Sequence, residues 1–148
     1  MLTNSDRFDL VQATPSFINK EWGRISELIW SATSEIQSGD YSTIMNGWLG
    51  ALLAGKAEMW LVMRGKSILA YLITRVMSLR GERILQVDYL VGEEHITEEA
   101  WDRCFDRLIG FARAKGCTSI MGETNNMRIV DMVKKKGGDS IVRIVIGV

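Results

Sequence analysis

The sequence predicts one α/β domain over residues 1–148, with a mixed central β-sheet of about six strands and helices on both faces. Three observations carry this expectation. Helical periodicity and short strand-like runs alternate along the chain. The runs 58–63, 67–77 and 83–91 are apolar almost without interruption, as in strands covered on both faces. The connections between them, Arg64-Gly-Lys66 and Ser78-Leu-Arg-Gly-Glu82, are short and contain glycine, as antiparallel hairpins require.

A first strand, Phe8-Asp-Leu-Val-Gln12, closes at Ala13-Thr14-Pro15. In the helix that follows, Ile18, Trp22, Ile25, Ile29, Ala32 and Ile36 recur at spacings of three and four and form one apolar stripe. A shorter helix carries Ile44, Trp48, Leu49 and Leu52 and stops at Gly55. After the three central strands, a helix from Thr97 to about Lys115 places Trp101, Phe105, Leu108, Ile109 and Ala112 on one side. Thr97 is its expected N-cap and Gly116 its stop. The short strand 118–122, reached across that helix, should lie parallel to the strand ending at Val91. A fourth helix from Asn125 to Lys136 turns Ile129, Val130, Met132 and Val133 inward, and a last strand occupies 140–146.

Composition bounds the function. A chain of 148 residues can bury a real core, and its 47% hydrophobic and 24% charged residues are those of a globular domain. Lys+Arg and Asp+Glu balance at 18 each, so no net positive charge argues for nucleic acid or an anionic membrane. Neutrality removes colloidal repulsion and favours self-association or a protein partner. One histidine and two cysteines, Cys104 and Cys117, fit no common metal site, and both cysteines read as small buried hydrophobes. The first seven residues lack a signal-peptide apolar region and no apolar run approaches ~18 residues. The expected setting is a cell's cytoplasm, or a particle assembled there.

The junction Val87-Asp-Tyr-Leu-Val-Gly-Glu-Glu-His-Ile-Thr-Glu-Glu-Ala-Trp101 runs from a strand straight into a helix. Such turns bind anions when bare amides and the helix dipole face the ligand, and glycines let the backbone come close. Here the turn has one glycine, Gly92, followed by Glu93, Glu94, His95, Ile96, Thr97, Glu98 and Glu99. Its carboxylates would repel a diphosphate. Asp88, mid-strand among apolar neighbours, could act as a base for a bound amine, though one carboxylate equally suits an open sheet edge or a bond to a nearby backbone N–H. Glu123 stands at the carboxyl end of a strand, where α/β ligand sites gather, and also suits a capping or solvent role. His95 reads as a loop histidine before a proton shuttle, and Lys134-Lys-Lys136 as a complement to a helix dipole. Leu28 and Trp30 lie off the stripe set by Ile25 and Ile29; two large apolar residues on a wet face point to contact with another chain.

The order strand, helix, helix, three antiparallel strands, helix, strand, helix, strand resembles the GNAT fold of acyl-CoA N-acyltransferases. The segment Asn125-Asn-Met-Arg-Ile-Val-Asp-Met-Val-Lys-Lys-Lys-Gly-Gly138 is similar to that family's fourth helix. The resemblance implies coenzyme A bound between the strands ending at Val91 and Gly122. It also implies an Arg/Gln-x-x-Gly-x-Gly/Ala turn for the diphosphate. The matching stretch, His95-Ile-Thr-Glu-Glu-Ala100, has neither glycine. The family's frequent general-acid tyrosine falls at Val133 and its following aromatic at Gly138. Gly55-Lys-Ala-Glu-Met-Trp-Leu61, the acidic turn and Lys115-Gly-Cys117 are similar to small phage-encoded GNAT-like proteins, whose place among virion and assembly genes implies a structural or accessory role. The preferred expectation is therefore a catalytically degenerate interaction module, virion-associated, with no favoured cofactor. The alternative is a divergent acetyl-CoA-dependent N-acyltransferase with Asp88 or Glu123 as base.

Overall fold

The computed structural model describes residues 7–33, 39–92, 96–124, 127–139 and 146–147. Its elements run β1 (Phe8–Gln12), α1 (Pro15–Thr33), α2 (Tyr41–Leu53), β2 (Glu58–Arg64), β3 (Ser67–Leu79), β4 (Glu82–Gly92), α3 (Glu98–Ala114), β5 (Ser119–Gly122) and α4 (Met127–Lys135). The strands form one sheet in the order β1-β2-β3-β4-β5. The first four are antiparallel and β5 runs parallel to β4, so the sheet is mixed. Among the described residues it has five strands; the sixth expected strand, 140–146, falls almost wholly outside them.

Each face of the sheet is covered. On one side Met59, Leu61, Tyr71, Ile73 and Val91 pack against Ile18, Trp22, Ile25 and Ile29 of α1 and Met45 and Leu52 of α2. On the other, Trp60, Val62, Leu72 and Leu85 pack against Ala100, Cys104, Leu108 and Ala112 of α3. This double cover is why the central strands carry so little polar sequence.

The helix faces are turned somewhat from their expected positions. Ala32 is exposed, because the buried line of α1 drifts toward Ser26 and the half-buried Trp30 and Thr33, where α2 packs. The buried residue of α2's first half is Met45, with Ile44, Trp48 and Leu49 half-buried beside it. In α3 the line of closest approach is Ala100, Cys104, Leu108 and Ala112, while Trp101, Phe105 and Ile109 flank it half-buried. Small side chains let that helix lie close on the sheet, and the bulky ones move to its sides. Burial pushes the Cys104 thiol up to about 11, with the charge of Asp9 adding to the shift, so this cysteine behaves as a hydrophobe.

One polar line crosses the α3-side core. The Trp60 indole Nε1–H donates to Thr74 Oγ1 at 3.0 Å, and the Thr74 hydroxyl donates to Glu58 Oε2 at 2.9 Å. Trp60 and Thr74 are buried and Glu58 half-buried. Burial raises the Glu58 pKa, against the lowering effects of the Thr74 bond and of the Lys115 charge. Folding thus favours the protonated form. The cost of holding the carboxylate is present at neutral pH and is relieved as pH falls through the raised folded value toward 4.5. Glu58→Gln keeps an acceptor for Thr74 and is expected to melt above the wild type at pH 7, with the advantage gone near pH 4. Equal destabilisation at both pH values in thermal melts contradicts this.

Candidate functional site

The sheet has a step, a fork between β4 and the chain leaving β5, where the pairing of the two strands ends. Their parallel pairing runs from Ile84↔Ser119 to Val87↔Gly122 and ends there, while β4 continues to Gly92. The register with β3 slips at the same point: Thr74 faces Val87 and Ile73 faces Tyr89, so Asp88 is an extra residue in β4. A bulge of this kind bends and twists its strand. Gly122 sits in the crotch of the fork. A Cβ on it would stand 3.3 Å from Val87 Cβ and 3.4 Å from Val87 O, so its bare backbone lets the strands stay close until they part. The carboxyl ends of two parallel strands that separate are the usual ligand position in an open α/β sheet.

Asp88 does not stand at an empty edge, and its partner is a side chain rather than backbone. Arg75 Nε donates to Asp88 Oδ2 at 2.7 Å and Arg75 Nη2 donates to Asp88 Oδ1 at 2.8 Å, a two-point clamp across β3 and β4. The Arg75 guanidinium also lies 4.9 Å from the Trp48 ring centre, and Trp48 meets Tyr89 edge-on at 5.4 Å. The hydrogen bond to Asp88 holds the Arg75 pKa above its ordinary value. The guanidinium thus occupies both oxygens through which the carboxylate could meet a substrate amine.

The expected diphosphate turn is described only in part. Gly92 ends β4 exposed, and Glu93, Glu94 and His95 lie outside the described residues. Ile96 is 4% exposed and belongs to the α3-side core, so it does not line a pocket lip. Thr97 caps α3, its Oγ1 accepting from Ala100 N at 3.2 Å. Glu98 and Glu99 occupy the first turn. Glu98 Oε1 accepts from Lys135 Nζ at 2.7 Å, which lowers the Glu98 pKa and raises that of Lys135. Lys136 Nζ lies 2.7 Å from both Asp102 and Asp106, and its pKa is raised by them. The basic end of α4 is thus strapped to the acidic face of α3, beyond the role of helix-dipole complement expected for it.

Val133 on α4 is half-buried. Gly138 N donates to Val133 O at 2.9 Å, and a Cβ on Gly138 would stand 2.5 Å from Val133 Cγ1. At Gly138 this helix end has no room for the aromatic that the family places there, and Val133 offers no proton where the family has its tyrosine. Glu123 is exposed just past β5. Leu28 and Trp30 are corrected in position: both are half-buried against the α1/α2 core, and Trp30 meets Tyr41 edge-on at 5.3 Å. Helix α2 covers the surface that the sequence left wet. Among the described residues no group of three or more His, Cys, Asp or Glu could hold a metal ion, and no helix is long and apolar enough to cross a membrane.

No family model matches the chain, and no curated protein sequence does. Solved structures do. A predicted acetyltransferase from Clostridium acetobutylicum with acetyl-CoA superposes with a TM-score of 0.70 at 11% identity, over 94% of each chain. A probable acetyltransferase matches at 0.69 and 12% identity, over 95% of this chain and 97% of its own. The ribosomal-protein-alanine N-acetyltransferase of Brucella melitensis biovar Abortus 2308 matches at 0.63 and 14% identity, over 95% and 96%. The chain has the GNAT fold. In this GNAT-fold chain the fork between β4 and β5 is kept, whereas among the described residues the side chains around it are committed to one another.

Arg75 was missed from the sequence; its signal was a lone cation inside an apolar strand, with an anion inside the next. The clamp is expected to be worth about 1 kcal/mol despite the exposure of Arg75, because both hydrogen bonds are well formed. A double-mutant cycle with Arg75→Met and Asp88→Asn in urea melts measures it. Coupling indistinguishable from zero contradicts the clamp.

Proposed function

We propose that this chain is a GNAT-fold module that does not perform acetyl transfer and acts through contacts with a protein partner or with copies of itself. The observation that carries this reading is the grip of Arg75 on both oxygens of Asp88, which occupies the one carboxylate on the bulge of the fork. Three further observations support it. Val133 has no proton to give where an acid is expected, and Gly138 packs too tightly on it to accept a larger residue. The side chain of Thr97 already serves the first turn of α3, and Ile96 is sunk in the core, so neither lends a cradle to a diphosphate. Glu98 adds negative charge on that turn. These described residues support a reading in which coenzyme A is not bound.

The resemblance to small phage-encoded proteins points to a place in the assembly or the particle of a phage, in the host cytoplasm or incorporated in the virion. The balance of 18 basic and 18 acidic residues fits a protein partner better than nucleic acid.

A second reading, a divergent acetyl-CoA-dependent N-acyltransferase with Asp88 or Glu123 as base, is favoured by the β4–β5 fork and by the acetyltransferases that share the fold. Thermal unfolding with and without acetyl-CoA separates the two. Ligand at ~100 times its Kd adds about 2.7 kcal/mol of stability. The module reading predicts an unchanged melting temperature at millimolar acetyl-CoA; a rise of about 3 °C or more overturns it in favour of the enzyme.

A further inference from the structure

A cavity of about 240 Å³ lies where the end of β1, the start of α1, the end of α2 and the start of β2 meet the last turn of α3. Its walls mix apolar residues, Ile18, Leu52, Met59 and Phe111 among them, with polar ones that include Gln12, Glu58 and Lys115. Two features make it more than a gap in packing.

The first is the way Glu58 is held. An indole N–H can only donate, so the Trp60 bond fixes Thr74 as acceptor there and leaves the Thr74 proton for Glu58. One carboxylate oxygen is thereby anchored from the core, and Glu58, a lining residue of the cavity, keeps acceptor capacity beyond the Thr74 bond. The second is the placing of the opposite charge. The Lys115 ammonium lies 5.6 Å from the centre of the Phe111 ring, and Phe111 meets Trp60 edge-on at 4.8 Å. Lys115 is near enough to influence Glu58 electrostatically, yet among the described residues the two form no ion pair with each other. An anion and a cation held apart on one small cavity with apolar walls between polar ones match a molecule that carries both opposite charges and an apolar body.

We propose that this cavity binds a small zwitterion of the α-amino-acid class with an apolar side chain, Glu58 taking its ammonium and Lys115 its carboxylate. The volume is below the ~300–1,000 Å³ of sites for drug-sized ligands, which suits a single amino acid. The site does not depend on the proposed loss of acetyl transfer and can stand or fall without it.

The test is a titration of the full chain with L-leucine, followed by two-dimensional amide NMR, beside isopentylamine and 4-methylpentanoate, which each lack one charge. Leucine is expected to produce saturable shifts at residues 12–18, 52–59 and 111–115, and each single-charge analogue to bind about tenfold more weakly or worse. Glu58→Gln, which keeps the Thr74 bond and a folded spectrum, is expected to weaken leucine about tenfold. Lys115→Met should abolish the preference for leucine over isopentylamine. Absence of saturable shifts up to about 10 mM leucine, equal binding of leucine and 4-methylpentanoate, or unchanged binding by Glu58→Gln each overturns the proposal.

Discussion

The extra residue in β4 at Asp88 is the constraint on which the rest of this molecule depends. Up to Val87 the strand is paired on both sides, with β3 and with β5. Beyond it, β4 keeps only β3 as partner and runs five residues further. The slip also exchanges the faces of the strand: Leu85 and Leu90, an odd number of positions apart, both pack on the α3 side, while Tyr89 and Val91 pack against α1 and α2. A continuous strand would have sent Leu90 to the wrong core. One inserted residue thus keeps both hydrophobic layers filled.

What occupies the region of the fork follows from charge. The bulge carries a carboxylate, and a half-buried carboxylate needs a partner. Arg75 supplies it from β3 and is itself held against Trp48 of α2, so the clamp ties the sheet to a helix as well as strand to strand. At the mouth of the adjoining turn, α3 begins with Glu98 and Glu99 on its positive dipole end, and α4 ends with Lys134 and Lys135 on its negative end. Each helix favours these charges at its own terminus. The pairs Glu98–Lys135 and Lys136–Asp102/Asp106 then bring the two helices together. Exposed pairs of this sort are individually weak, but three contacts from one helix end to one helix face fix an orientation.

Much of this was legible in the sequence. Near-continuous apolar runs joined by glycine turns gave the antiparallel strands, and Thr97 announced the start of α3 through its capping chemistry. The bulge was not legible, because no residue type is diagnostic of an inserted strand position, and without it the fork and the facing of Asp88 could not be placed. The Arg75–Asp88 pair is 13 residues apart and depends on register, which composition does not reveal. The flank of α1 that carries Leu28 and Trp30 is half-buried because α2 packs from the side, which a helix wheel of α1 alone does not show. The facing of α3 was missed by part of a turn, since hydrophobic size was weighed where close approach mattered more.

The central claim is that the fork is kept as architecture while its side chains are engaged with one another. A crystal structure of the chain grown with saturating coenzyme A tests this most directly. The account predicts an empty fork, Arg75 still on both oxygens of Asp88 and Lys135 still on Glu98. A coenzyme threaded between β4 and β5, with its diphosphate on the main-chain amides before α3, would contradict it.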